Sequence, residues 1–196
     1  MATAQDANAV AQIYLPYVRD TAISFEATPP GADEMRSRMT RTLARLPWLV
    51  VADGDRVKGY AYASPHRARE AYRWSVDVSL YLDESIHRRG HGRRLYVALF
   101  NVLVAQGYVN AYAGIALPNS ASVGLHEALG FTPVGTFRSV GFKHETWWDV
   151  GWWHRRLAEP PPAPPEPMAW FQLPDHALDT ALAAPTDSGF TGGCAR

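Results

Sequence analysis

The sequence predicts an α/β (α+β) fold, with one mixed, twisted central sheet flanked by helices and a proline-rich extension behind it. Three observations lead there. Segments with apolar residues at helical spacing alternate with short apolar or alternating runs of strand type. The 196 residues suit one domain with length to spare. The run EPPPAPPEP, residues 159–167, ends the patterned part, because prolines there break helix and central strand alike.

The elements follow in order. Residues 6–19 form a helix with Val10, Ile13, Tyr14 and Tyr17 on one face. After the turn PPGAD, a second helix covers 33–44 with Asp33 as its N-cap. The apolar run 48–53 is a strand, and DGDR turns it into a second strand over 58–64. Residues 74–82 alternate as a strand does. A long helix over 88–106, entered through glycines, buries Leu95, Leu99, Val102 and Leu103. A strand at 111–115, a helix at 120–129 stopped by Gly130, and strands at 132–138 and 147–157 complete a domain spanning 1–157. Residues 158–196 read as a linker and tail, with polyproline II at 159–167, a small amphipathic helix near 174–183, and a loose TDSGFTGGCAR end. The tryptophans at 147, 148, 152 and 153 are expected mostly in the core, with an interface between copies as the alternative.

Bulk properties narrow the function. A formal net charge of zero argues against a nucleic-acid binder, which needs a basic surplus. The single cysteine, Cys194, permits no internal disulfide and fits a reducing compartment. The N-terminus MATAQDANAV lacks a secretory pattern, and no apolar run reaches the roughly 18–20 residues that span a bilayer. The expectation is a cytoplasmic protein with no membrane or nucleic-acid partner.

Two motifs carry chemistry. In VSLYLDESIHRRGHGRRLYVALF, residues 78–100, a strand ends in a loop whose Gly90 and Gly92 open a long helix. Glycines let backbone N–H groups approach a ligand, the helix N-terminus adds a positive dipole end, and Arg88, Arg89, Arg93 and Arg94 surround it. This suits a phosphate or pyrophosphate; the plain alternative is a basic surface turn. A Rossmann fingerprint would need glycine where Leu95 stands, and a P-loop would need Gly-Lys-Ser/Thr. The second motif is LPNSASVGLHEALGF, residues 117–131. Asn119 or Ser120 caps its helix and Gly130 ends it, with Ser122 and His126 four apart on one face. Alone, it reads as a capped amphipathic helix with a satisfied histidine. His87 and His91 also stand four apart, but Gly90 interrupts the helix and no third ligand is near, so a metal is not expected.

Together, His87-x-x-Gly90-x-Gly92 and Asn119…Ser122…Leu125-His126-Glu127…Gly130-Phe131 resemble the two motifs of the GNAT superfamily of N-acetyltransferases. The chain looks closest to the branch acting on phosphinothricin or methionine sulfone and sulfoximine. Thr21…Ser24-Phe25-Glu26, Pro47-Trp48-Leu49-Val50, Ala71-Tyr72-Arg73-Trp74 and Gly141-Phe142-Lys143-His144 add to that resemblance, as does Trp147…Asp149-Val150…Trp153. It covers residues 3–157. Two positions depart from the superfamily. His87 stands where Gln or Arg is preferred, and His126 replaces the tyrosine that commonly protonates the leaving thiolate. The family's first strand would precede residue 3, so either the sheet lacks that edge or the natural start lies upstream.

The resemblance implies acetyl-CoA as co-substrate and a homodimer. It places the cofactor against Leu80, Tyr81 and Leu82, the loop residues Arg88, Arg89, Gly90, His91, Gly92 and Arg93, and Asn119 and Ser122. Asp77 takes the place of a catalytic glutamate and is assigned as general base, acting through a water because it is one methylene shorter. His126 is the candidate acid, though a thiol of pKa ~8.5 leaves readily without much help. Phe25, Glu26, Arg67, Arg69, Tyr72 and Trp74 are assigned to a small amine acceptor whose carboxylate an arginine would grip. Each has a plain alternative: a strand-edge carboxylate for Asp77, a structural histidine for His126, surface charges for the arginines. With no cysteine near the motifs, direct attack in a ternary complex is expected rather than an acetyl-enzyme. Another amine acceptor, or a non-catalytic acetyl-CoA-binding module, are the competing functions.

Overall fold

The computed structural model describes residues 1–183. A six-stranded sheet runs in the order β1-β2-β3-β4-β6-β5. Its strands are β1 (Trp48–Asp53), β2 (Arg56–Pro65), β3 (Ser75–Leu82), β4 (Asn110–Leu117), β5 (Thr132–Lys143) and β6 (Thr146–Arg156). Only β3 and β4 are parallel; they are joined through α3 (His91–Gln106). Helices α1 (Ala7–Arg19) and α2 (Ala32–Leu43) precede the sheet, and α4 (Ser120–Ala128) links β4 to β5. No strand precedes α1 among the described residues; Ala2 N–H instead donates to the Trp48 carbonyl at the start of β1.

Strand alternation divides the core into two layers. Leu49, Ala61, Ala63, Val76 and Val78 face α3, whose Leu95, Leu99 and Leu103 are buried against them. Trp48 and Tyr60, on the other face, pack with Val10, Ile13, Tyr14, Met35 and Met39 from α1 and α2. Asp77 lies between Val76 and Val78 in sequence, so it belongs to the face covered by α1 and α2.

Several boundaries differ from expectation. Helix α2 begins at Ala32, with Gly31 as its N-cap; Asp33 sits in the first turn and pairs with Arg36. Strand β5 is longer than its alternation predicts, with register shifts after Pro133 and Phe137, while β6 has the expected length shifted by one residue. Of the four late tryptophans, Trp153 is buried while Trp147 is 62% exposed.

The extension is the largest departure. Residues 165–182 do not trail as a linker but strap the back of the domain. Trp74 Nε1 donates to the Pro165 carbonyl at 2.7 Å, Arg73 pairs with Glu166, and Arg45 donates to the Pro167 carbonyl. The side-chain amide of buried Gln106 donates to the carbonyls of Met168 and Arg45, and its backbone carbonyl accepts from Met168 N–H. Helix α5 (Asp175–Leu182), expected from the sequence, lies on α3, where Leu173 and Ala181 close over Val102. The tail from 184, with Cys194, lies outside the described residues. Leu173→Ala is therefore expected to cost ~2 kcal/mol in denaturant unfolding, the low end for a buried leucine in a small cluster. A loss below ~0.5 kcal/mol, typical of an exposed site, would mean the strap is not held.

Candidate active site

Strands β3 and β4 pair only over Ser75–Asp77 and Asn110–Tyr112, yet run on to Leu82 and Leu117. Beyond Asp77 and Tyr112 they part, leaving facing backbone edges that no strand satisfies. A cleft of about 470 Å³ opens there, walled by 78–82 of β3 and 113–116 of β4. An extended ligand with amides can satisfy such edges.

The glycine loop closes one end. Arg88 (φ 57°) and Gly90 (φ 80°) take left-handed backbone conformations, and α3 starts immediately after. The first amides of α3 lack intrahelical acceptors and carry the positive end of its dipole. A Cβ built on Gly92 would stand 3.4 Å from Leu125 and 3.5 Å from Leu80 and Leu82. The loop backbone therefore lies close against the cleft wall. Arg88, Gly90, Gly92 and Arg93 line the cleft with Leu80, Tyr81, Leu82, Asn119 and Ser122. Arg89 and His91, expected in this set, do not line it. Asn119 is the N-cap of α4: its side-chain oxygen accepts from Ser122 N–H at 3.1 Å. His87 also lines the cleft, but its Nε2 lies 3.2 Å from both the Leu82 carbonyl and the Tyr17 hydroxyl. It ties the end of β3 to α1 rather than standing free for a phosphate.

Deeper in the cleft, His126 is buried. Its Nδ1–H donates to the Ser122 carbonyl at 2.8 Å, and its Nε2 lies 3.1 Å from the Tyr96 hydroxyl. Burial pushes the imidazole below its ordinary pKa, outweighing the Ser122 hydrogen bond. The neutral ring thus carries its proton on Nδ1, and Nε2 accepts from Tyr96. In this state His126 has no proton to donate toward the cleft; Tyr96, a residue the motif reading passed over, lines the cleft with it and holds its hydroxyl on His126.

Asp77 occupies the point where the strands part. Burial raises its carboxyl above the usual aspartate range, against the opposing effects of His66 and Arg67. His66 Nδ1 lies 2.6 Å from Asp77 Oδ1. Sequence reasoning missed His66, which sits just past the end of β2; Ser64 is the residue opposite Asp77 in the antiparallel β2–β3 pairing, and His66, two positions on, reaches the carboxylate with its side chain.

A second cleft, of about 560 Å³, lies at the other end of β3. Arg67, Arg69 and Tyr72 line it as expected of acceptor residues, together with Arg38, Arg41, Arg45 and Arg73. The remaining acceptor residues behave differently. Glu26 is gripped by Arg38 at 2.6 and 3.0 Å and receives the Tyr14 hydroxyl at 2.9 Å. Burial alone would raise its carboxyl; these partners hold it below the ordinary range. It braces the loop rather than facing an acceptor. Trp74 turns to the strap through Pro165 and is no pocket wall. Phe25, 40% exposed, lies over Gly141, and Lys143 fixes its loop by donating to the Val18 and Ser24 carbonyls at 2.6 Å.

The comparisons with known proteins agree with this geometry. Residues 1–152 match the model of the acetyltransferase (GNAT) domain. The phosphinothricin N-acetyltransferase of Streptomyces viridochromogenes is 42% identical over 167 residues, covering 85% of this chain and 90% of that protein. The Streptomyces coelicolor protein of the same name is 40% identical, over 78% of this chain and 92% of its own. The crystal structure of a phosphinothricin acetyltransferase from Sinorhizobium meliloti in complex with acetyl-CoA superposes with a TM-score of 0.79. It is 32% identical and covers 86% of this chain and 95% of its own. The chain belongs to the GNAT family of acetyltransferases, with acetyl-CoA as co-substrate, and the parted strands, the glycine loop at the head of α3 and the capped α4 form its candidate site.

Proposed function

We propose that the protein transfers the acetyl group of acetyl-CoA to the α-amino group of a small, carboxylate-bearing amino acid, of the phosphinothricin or methionine sulfone and sulfoximine type. One observation carries this reading. On the single strand β3, Ser75 lines the arginine-rich cleft, Val78 lines the acetyl-CoA cleft, and Asp77 lies between them. An acceptor held by its carboxylate at Arg67 and Arg69 would bring its amine to the aspartate.

The chemistry requires a neutral amine, and Asp77 supplies the base function that makes one. The amine nitrogen attacks the thioester carbonyl directly, the C–S bond breaks, and the sulfur leaves toward Tyr96. His126 holds the Tyr96 hydroxyl in place, and protonation of the thiolate follows at this pair or from water. Leu80–Leu82, Asn119 and Ser122 receive the pantetheine arm, and the backbone of Gly90–Gly92 with Arg88 and Arg93 receives the pyrophosphate. The names of the relatives support the acceptor class; the cluster of arginines speaks against a polyamine.

The same reading extends to a homodimer. The outer strand β5 leaves Val134, Phe137, Val140 and Phe142 half or more exposed, beside Trp147 on β6. Such an apolar edge is the kind of surface a second copy covers. No helix among the described residues is long and apolar enough to cross a membrane, and a lone cysteine is consistent with the reducing cytoplasm. The test is thiol release from acetyl-CoA against a panel of amines. Turnover is expected with phosphinothricin or methionine sulfone and not with spermidine. Tight acetyl-CoA binding with no turnover on any amine would make the protein a binding module instead.

A further inference from the structure

We propose that His66 is the group that takes the proton from the acceptor amine, with Asp77 acting through it rather than through a bound water. This rests on the reading of the chain as an amine acetyltransferase.

Geometry carries the assignment. Aspartate offers only acceptor oxygens when ionised, so the contact of 2.6 Å places the imidazole proton on Nδ1. That fixes the tautomer and leaves a lone pair on Nε2, as a carboxylate does for a histidine base elsewhere. Nε2 has no hydrogen-bond partner among the described residues, and it is not among the atoms shut off from solvent there. The ring is held flat on Tyr112 at 4.2 Å, and Trp152 meets it edge-on at 6.1 Å. Tyr112 is the last residue of β4 to pair with β3 before the strands part. Trp152 lies over Gly114, which belongs to the acetyl-CoA cleft, and its indole N–H is buried without a partner. Tyr72, edge-on to the ring at 6.0 Å, lines the arginine-rich cleft on the other side. The imidazole therefore stands between the two clefts.

The step balances. The acceptor's ammonium gives one proton to Nε2, producing an imidazolium paired with the Asp77 carboxylate. The freed amine forms the C–N bond as the C–S bond breaks, the thiolate departs with the electron pair, and the second proton of the acylated nitrogen goes to that thiolate, leaving the amide and free CoA thiol. The titratable and charged groups facing the dyad are Tyr62, Arg67, Tyr72 and Tyr112, with His154 behind Tyr112.

The test uses the full chain and an acceptor active in the amine panel. His66→Asn places an amide N–H where Nδ1–H stands, so it keeps a donor for Asp77, but it cannot titrate. It is expected to lower kcat/KM by roughly 10²–10⁴-fold and to abolish the acidic limb of its pH profile, with acetyl-CoA affinity unchanged. In wild-type protein, ¹⁵N spectra of His66 should show the Nδ1–H tautomer, and Asp77→Asn should shift that resonance. Wild-type turnover and pH profile in His66→Asn would overturn the proposal, as would an Nε2–H tautomer. So would loss of acetyl-CoA binding in the variant, which would mark the residue as structural. If no amine turns over even with wild-type protein, the enzymatic reading itself fails, and the tautomer measurement then reports on the dyad separately.

Discussion

Asp77→Ala is expected to lower kcat/KM for amine acetylation by roughly 10²–10⁴-fold, the span of a lost general base, while acetyl-CoA binds as before. The affinity is expected to hold because Asp77 does not line the acetyl-CoA cleft. Thermal stability is expected to hold as well. Burial raises the Asp77 carboxyl above its unfolded value. A group shifted that way stabilises the fold only at low pH, and its contribution is lost as pH rises through the folded value. At neutral pH, then, the ionised carboxylate is a net cost to folding even with its His66 contact, so its removal should not lower Tm. Kinetics with a melting curve separate this from the structural alternative: a strand-edge carboxylate would lower Tm and leave turnover nearly intact. Activity retained in Asp77→Ala would remove the aspartate from the mechanism and, with it, the orientation assigned to His66.

Asp77 stands out in the sequence and its partner His66 does not, for a physical reason. Asp77 sits at a fixed offset before the glycine loop, within one strand–loop–helix run, and local runs read well. The same holds for the β1–β2 hairpin, for α3 with its buried Leu95, Leu99 and Val102, and for α4 with its Asn119 cap. His66 meets Asp77 only because β2 and β3 pair antiparallel across a loop containing a 3-10 turn at Glu70–Tyr72. The register of that pairing is not written in either strand's alternation. The strap was hidden for a related reason. Its proline run reads as a linker, while its anchors, Gln106 and Arg45, lie some sixty and more than a hundred residues earlier. Glu26 and Trp74 were misassigned because their types suit an acceptor pocket, and only the fold shows that Arg38 and Pro165 already occupy them.

The second large effect is at the loop. Gly92→Trp is expected to weaken acetyl-CoA binding at least ~100-fold, about 2.7 kcal/mol, and to reduce turnover accordingly. Gly92 is buried in the first turn of α3, and its missing side chain would point at Leu80, Leu82 and Leu125, three residues of the cleft wall. Gly92→Ala places a methyl at 3.4–3.5 Å from them, ordinary van der Waals contact, so its affinity should stay within about a fewfold. An indole cannot fit that gap. It must either force β3 and α4 apart, at ~1–3 kcal/mol of strain, or swing into the cleft where the pantetheine arm passes. Both routes spoil the site, and calorimetry beside a melting curve tells them apart: the first lowers Tm and affinity together, the second lowers affinity alone. Because the arginine-rich cleft lies at the opposite end of β3, neither route touches the residues assigned to the acceptor. A Gly92→Trp protein that bound acetyl-CoA normally would place the pyrophosphate somewhere other than this loop, and would leave its left-handed Arg88 and Gly90 without a functional reason.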